Sequence, residues 1–189
     1  MNRSYLQKFQ IKDVVFLAIM SAVALATCAV MPLVISLQPL IFGISQLVTA
    51  LQIGVFFAIG LYKVRKPGSL LIMALMMGLI QLMMSPPMFL SSVLNGVLIE
   101  LIVLLLFRGY EKDGAVFCAA MLHTPLSLPF NYLYNRLVKG ADSPLAAVAD
   151  RAPLAAVGMT LAVVAVSALG ALIGIKIAKE LKKSGVLKK

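Results

Sequence analysis

The sequence predicts an all-α membrane protein with six transmembrane helices and both termini in the cytoplasm. The 189-residue chain is 61% hydrophobic with a mean hydropathy of +1.01, which leaves too little polar surface to cover a soluble globule. Short polar breaks separate its apolar stretches, and fourteen of its seventeen Lys and Arg residues fall in alternate breaks. Because basic residues concentrate in cytoplasmic loops, both termini are expected inside, and the number of spans must be even.

Six apolar stretches follow one another along the chain and are predicted to form a single membrane domain over residues 1–189. A membrane helix needs about 20 apolar residues, and an open strand cannot satisfy its backbone in lipid, so each stretch is predicted to be helical. Turn signals at residues 65–68 and 111–114 mark inner connections, and residues 85–87 predict a tight outer hairpin. Residues 138–153 form the one sizeable outer loop. The predicted spans are 14–31, 40–61, 69–84, 88–107, 115–133 and 154–177.

The composition and the motifs exclude several classes of function. The net charge of +10 is explained by topology anchors and by contacts with anionic lipid headgroups, so the lipid bilayer and not nucleic acid is the predicted partner. Cys28 and Cys118 lie inside apolar stretches and are predicted to be reduced packing residues. The chain lacks a phosphate-binding loop for ATP and any hydrolase or metalloprotease motif. We therefore predict a protein that is not an enzyme and that uses no cofactor or metal.

Two spans carry strips of small residues at helical spacing. Residues four apart lie on one face of a helix, and small side chains there let a second helix approach closely. The strip in the first span either packs within the chain or is a docking face for another subunit, and it consists of Ala18, Ala22 and Ala26. The strip in the last span is predicted to pack within the chain, and it consists of Gly170, Gly174 and Ala178.

Polar residues inside the spans are the candidates for a solute site, because each costs free energy in hydrocarbon unless it faces the bundle or a cavity. Glu100 is the only carboxylate within a span, and Gln81 lies on a small-and-polar stripe of the third span among several methionines. The predicted topology places most of these residues in the outer half, with Glu100 and His123 near mid-depth. The candidate substrate-binding residues are Gln46, Gln81, Asn95, Glu100, His123, Asn131, Tyr132 and Asn135.

The fifth span has the most unusual pattern. His123, Ser127, Asn131 and Asn135 recur every four residues, and two prolines, Pro125 and Pro129, are interleaved with them. Each proline removes a backbone donor and clashes with the preceding turn, so a kink or a break is predicted near the middle of this helix. Broken membrane helices occur where they line a cavity. His123 is either a structural hydrogen-bonding residue or a ligand contact, and Tyr132 is either an interfacial residue or an aromatic wall.

A short, basic, six-span protein with an alanine strip in its first helix resembles the substrate-binding S component of an energy-coupling factor transporter. Residues 66–70, the region from Asn95 to Glu100 and the closing residues 179–183 resemble the thiamine and hydroxymethylpyrimidine (YkoE-type) branch. The resemblance implies a cell-membrane protein that binds a vitamin or vitamin precursor from outside. It also implies docking through Ala18, Ala22 and Ala26 on a transmembrane coupling protein that two cytoplasmic ATPases drive.

Two departures from that branch point away from a cationic thiamine ligand. Its third-span acidic residues correspond here to Ala74 and Gln81, and the chain has no Trp for stacking. A smaller, neutral or heteroaromatic solute fits better. Two other hypotheses remain open: an assembly protein whose small-residue strips only join partners, and an intramembrane enzyme that uses Glu100 and His123.

Overall fold

The computed structural model describes residues 8–28, 33–34, 36–140 and 143–187, and within these ranges seven α-helices follow one another. The last residues of the first predicted span, 29–31, lie outside the described residues. The same holds for residues 32 and 35 of the connection that follows it and for Asp142 of the predicted outer loop. The helices are α1 (Ile11–Thr27), α2 (Ile44–Lys63), α3 (Ser69–Leu82), α4 (Pro86–Phe107), α5 (Asp113–Leu137), α6 (Pro144–Arg151) and α7 (Pro153–Lys183).

The helix starts follow from proline and glycine positions in the sequence. Pro86, Pro144 and Pro153 open α4, α6 and α7, where the missing amide proton costs nothing and the fixed φ suits the helix. Gly43 and Gly68 precede α2 and α3 with φ values of 77° and 91°, a left-handed conformation that glycine adopts without strain.

Three of the described helices, α2, α4 and α7, are long and apolar enough to cross a membrane. The chain is therefore an α-helical membrane protein. The helices α1 and α3, with 17 and 14 residues, are shorter than a full span, and α5 carries many polar residues along its 25. The count of six spans remains a prediction.

The fifth predicted span does not break at its prolines. A kink or a break was predicted here; the helix α5 continues through Pro125 and Pro129, so the break does not occur, and the kink stays a prediction. Because Pro125 has no amide proton, it leaves the Met121 carbonyl four residues earlier without its usual helical donor. The Ser167 hydroxyl of α7 donates to that carbonyl at 2.7 Å, which replaces the lost bond from a neighbouring helix.

The predicted outer loop 138–153 contains a helix that the sequence analysis missed. The helix α6 begins at Pro144, and its alanines Ala146 and Ala149 are buried against the bundle. Alanine has the highest helix propensity, so the Ala-rich segment after Pro144 favours a helix.

The small-residue strip of α7 packs against α2, as predicted. A Cβ atom built on Gly170 would lie 2.5 Å from the Leu51 carbonyl oxygen, and one on Gly54 would lie 2.9 Å from the Ser167 carbonyl oxygen. The two backbones are therefore in close contact, which only glycine permits. The other side of α7 is apolar and exposed, as expected for a helix that faces lipid, with Leu154, Leu161, Leu169 and Leu172 among its exposed residues.

Charged residues from distant parts of the chain meet at one end of the bundle. Asp113 accepts from Arg65 at 2.6 Å and from Lys179 at 2.8 Å, while Lys66 pairs with Asp13 at 2.7 Å. The hydrogen bond from Lys179, aided by Arg65, holds the pKa of the Asp113 carboxyl below its usual value. These contacts bring the start of α1 and the end of α7 to the same end of the bundle as the two basic connections.

Candidate functional site

Five helices form a closed ring around a cavity of about 500 Å³. In the ring α1 contacts α3, α3 contacts α4, α4 contacts α5, α5 contacts α2, and α2 contacts α1. The helix α7 lies outside the ring, against α2 and α5. Every helix of the ring contributes side chains to the cavity wall, so the cavity exists only in the assembled bundle.

Five of the eight predicted binding residues line this cavity. They come from four different helices, and they are Gln46, Gln81, Asn95, His123 and Asn131. The remaining wall combines hydroxyl, amide and sulfur groups with aliphatic ones: Ala22, Leu25, Ala26, Cys28, Gln38, Ser45, Thr49, Ile53, Met77, Ile80, Met84, Met88, Ser91, Ser92, Thr124 and Ser127.

Three buried residues of the cavity wall have polar atoms without a protein hydrogen-bond partner. They are Asn95 Oδ1 on α4, both ring nitrogens of His123, and Thr124 Oγ1 on α5. Their residues are only 1%, 5% and 3% exposed. Buried polar atoms in proteins are almost always paired, because an unpaired one costs about 1–3 kcal/mol. The unpaired atoms themselves are almost completely covered, so these three side chains, which line the cavity, would meet a bound molecule by turning toward it.

A second polar group on the wall is already paired. Gln38 Nε2 donates to Ser45 Oγ at 2.5 Å, and Ser45 Oγ donates to Gln46 Oε1 at 2.8 Å. Thr49 donates to the Ser45 carbonyl one turn earlier, at 2.9 Å. This chain of hydrogen bonds fixes the segment before α2 to the wall of the cavity.

The imidazole of His123 is held from the side by an aromatic ring. Phe57 on α2 meets it edge to face, with the ring centroids 4.5 Å apart. Phe57 is fully buried, so this contact fixes the plane of the imidazole while leaving both of its nitrogens without a protein partner.

A second cavity, of about 660 Å³, lies toward the other end of the bundle from the Asp113 cluster. Its wall includes Lys139 and Ser143 from the connection between α5 and α6. Gln38, Met88 and Asn131 line both cavities, so the two volumes meet at these three side chains. We refer to the two as the inner cavity and the outer cavity.

Asn135 lies in the wall of the outer cavity and not of the inner one. Its Oδ1 accepts from Ser143 Oγ at 2.9 Å, and its Nδ2 donates to the Asn131 carbonyl at 2.8 Å. The bond with Ser143 joins the end of α5 to the start of α6, and the bond to Asn131 lies within α5.

Tyr132 lies in the wall of neither cavity. Its hydroxyl donates to Asp150 at 2.7 Å, and Arg136 pairs with the same carboxylate at 2.8 Å. The tyrosine thus connects α5 to α6 and forms no wall of either cavity, while its role as an interfacial residue stays a prediction.

Glu100 also lies away from both cavities. Its carboxylate accepts from the Gly68 amide at 2.6 Å and from the Tyr110 hydroxyl at 3.0 Å, at the start of α3. The start of a helix carries unpaired amide protons and a partial positive charge, both of which a carboxylate satisfies. This geometry gives Glu100 a structural role and separates it from His123.

The alanine strip of α1 is largely unused in packing within the described chain. The buried face of α1 runs through Leu17, Ser21 and Ala24, while Ala22 and Ala26 are exposed. Both exposed alanines also line the inner cavity, whereas Ala18 does not. The strip therefore borders the cavity at its outer end and turns toward the surroundings.

The wall also contains polar residues that were not predicted from the sequence, among them Gln38, Ser45, Thr49 and Thr124. Ser45 and Thr49 are four residues apart beside Gln46, so helical spacing was a usable signal for them. Thr124 and Gln38 gave no such signal. Among the described residues, no group of three or more His, Cys, Asp or Glu side chains could hold a metal ion.

The fold and the cavity define a helical membrane protein with a solute-sized internal site. Residues 11–183 match the family described as hypothetical bacterial integral membrane protein (Trep_Strep). The chain belongs to this family, whose description gives a membrane location and no activity. No curated protein and no solved structure matches the chain.

Proposed function

We propose that the protein is the substrate-binding S component of an energy-coupling factor importer. In this role it captures a vitamin or vitamin precursor from outside and passes it inward with a transmembrane coupling protein and two cytoplasmic ATPases. One observation carries the proposal: the inner cavity has buried polar atoms of Asn95, His123 and Thr124 on its wall without protein partners.

The energetics of the cavity favour a binding role over a packing role. Protein interiors are close-packed, and empty space inside a bundle forfeits dispersion contacts. Unpaired buried polar groups add a further cost of about 1–3 kcal/mol each. A wall that keeps both features is typical of a ligand site, because the ligand supplies the missing contacts and hydrogen bonds.

The charge pattern supports entry from outside. Basic residues mark the cytoplasmic end of a membrane protein, and here that end carries the contacts of Asp113 with Arg65 and Lys179. The outer cavity lies toward the opposite end and meets the inner cavity at Gln38, Met88 and Asn131. The two cavities are therefore neighbours, and a solute that passes from the outer one to the inner one passes these three side chains.

The sequence contains no phosphate-binding loop for ATP, so in the proposed role the energy of uptake comes from the two partner ATPases. The exposed Ala22 and Ala26 offer a flat face for a coupling protein. Within the vitamin class, the thiamine and hydroxymethylpyrimidine group is the first to test. The alternative is an assembly protein that joins partners through its small-residue strips. The exposure of Ala22 and Ala26 supports both functions equally.

Thermal shift of the detergent-purified chain separates the two functions. We expect a vitamin or pyrimidine precursor to raise the melting temperature in a saturable way, because a ligand that binds only the folded state stabilises it. Gln81→Leu and Asn131→Leu should each weaken the binding by about 1–3 kcal/mol if they bond to the solute.

The matched control is Thr160→Ala on α7, whose hydroxyl donates to its own helix at the Ala156 carbonyl. This variant should bind as the wild type does. If no compound shifts the melting temperature, the proposed solute-binding function is refuted and the assembly function is favoured.

A further inference from the structure

We infer that the inner cavity accepts an uncharged solute and recognises an edge that both donates and accepts hydrogen bonds, such as a carboxamide or an amino-substituted nitrogen heterocycle. The inference rests on the proposed function, because it names the chemical class that the same site binds. Two independent features of the wall carry it: the absence of formal charge and the hydrogen-bonding requirements of its unpaired atoms.

The first feature is the charge of the wall. None of the described residues that line the inner cavity is Asp, Glu, Lys or Arg. A charged solute placed there would lose its hydration without gaining an ion-pair partner, and the cost of such burial is several kcal/mol. Glu100 cannot supply the missing charge, because its carboxylate is held by Gly68 and Tyr110 at the start of α3.

The second feature is what the unpaired atoms require. Asn95 Oδ1 can only accept, so the solute must offer it an N–H or O–H group. A neutral imidazole has one donor and one acceptor nitrogen, and both nitrogens of His123 lack a protein partner. The hydroxyl of Thr124 can serve in either sense. The solute must therefore present both kinds of group.

These requirements reject whole classes of compounds. A carboxylate or a phosphate only accepts, so it would leave Asn95 Oδ1 unpaired in addition to bringing an unpaired charge. A quaternary nitrogen has no proton to donate. The rest of the wall, with Met77, Ile53 and Met88, gives apolar contact to the body of the solute, and methionine adapts to rings of different shape.

Related compounds that differ in charge, of which nicotinamide and nicotinate are nearly equal in size, test the inference on the full-length, detergent-purified chain. The probes are nicotinamide with nicotinate and 1-methylnicotinamide, hydroxymethylpyrimidine with its phosphate, riboflavin with its 5′-phosphate, and pyridoxine with its phosphate. Affinity is measured by thermal shift and by equilibrium dialysis. In each set that binds, we expect the uncharged member to bind about 100-fold more tightly than its charged relatives.

A charge-introducing variant gives a second readout. Asn95→Asp places a carboxylate on the wall, so it should improve the affinity of cationic 1-methylnicotinamide relative to nicotinamide at least tenfold. Gln52→Glu makes the same amide-to-carboxylate change on α2, outside both cavities, and should leave that ratio unchanged. A merely structural role of Asn95 would alter the melting temperature without altering the ratio.

The outcomes separate the inference from the proposed function. If charged members bind as tightly as uncharged ones, the inference is overturned while solute binding stands. An unchanged ratio in Asn95→Asp overturns the assignment of Asn95 to the recognition edge. If no member of any set binds, the proposed function fails and the inference fails with it.

Discussion

Thr124→Val tests the binding site through two effects that should have opposite signs. Valine has nearly the shape of threonine, so the substitution removes the hydroxyl and little else. That hydroxyl lies in a residue that is 3% exposed and has no protein partner. Its removal relieves part of a desolvation cost of about 1–3 kcal/mol, so the ligand-free protein should become more stable by roughly 1 kcal/mol.

The same substitution should weaken the binding of the solute. Losing one hydrogen bond of about 1 kcal/mol raises the dissociation constant about fivefold. Both quantities come from one experiment, in which the melting temperature is followed against the concentration of the best compound from the thermal-shift screen. We expect a higher melting temperature without compound, and we expect the rise in melting temperature to need higher concentrations of the compound than in the wild type.

Ser167→Ala is the matched control, because it also removes a buried hydroxyl. Here the hydroxyl donates to the Met121 carbonyl at 2.7 Å and lies outside the inner cavity. Its loss leaves that carbonyl unpaired, so the free energy of unfolding should fall by about 1–2 kcal/mol while the affinity for the solute stays the same. If Thr124→Val behaves like Ser167→Ala, with lower stability and unchanged affinity, the reasoning about unpaired wall atoms is refuted.

Four further predictions follow from the packing and the charges. Gly170→Ala should destabilise the protein by more than about 1 kcal/mol, because its Cβ would lie 2.5 Å from a backbone oxygen. The control is Gly158→Ala in the same helix, which meets nothing within 4 Å and should be neutral or stabilising. Equal melting temperatures of the two variants would contradict the close contact. Ala18→Leu should abolish uptake in cells with solute binding intact, whereas Ala22→Leu should impair both because Ala22 lines the inner cavity; loss of binding in Ala18→Leu would place the strip inside the bundle. Glu100→Gln should lower stability by about 1–3 kcal/mol without changing affinity, and an altered dissociation constant would return Glu100 to the site. Asp113→Asn should remove a small part of the loss of stability in acid. Because the folded-state pKa of Asp113 is lowered, its ion pairs stabilise the protein fully above the ordinary pKa near 3.8, and this stabilisation is lost as the pH falls through the folded-state pKa. Identical acid unfolding curves of the variant and the wild type would refute the prediction.

The helices were largely predictable, because their signals are local. The preference of proline for the first turn of a helix, and of glycine for a left-handed conformation before it, are properties of single residues. Pro86, Gly43 and Gly68 each stand at the start of a helix for this reason. The break predicted at Pro125 failed for a reason that is not local. The hydroxyl that compensates for the lost bond comes from Ser167, which is 42 residues away in the chain, and no pattern in α5 indicates it.

The candidate site was predictable only in part. A polar residue in an apolar stretch must face the bundle or a cavity, so Asn95, His123 and Asn131 could be selected from the sequence. The same rule selected Glu100 incorrectly as a cavity residue, because it does not say which polar group meets the residue. The carboxylate meets the start of α3 and the hydroxyl of Tyr110, and both contacts depend on how α3 and α4 pack.

The sequence by itself determined that this is a helical membrane protein, approximately where most of its long helices lie, and which residues at its polar breaks carry charge. These properties depend on hydropathy and on backbone preferences that each short segment expresses alone. The tertiary structure alone decided that five helices close into a ring, that the alanine strip borders the cavity, and that Asn95, His123 and Thr124 share its wall. A cavity is the space left between packed helices, so its shape and its unpaired atoms arise only when the distant segments have come together.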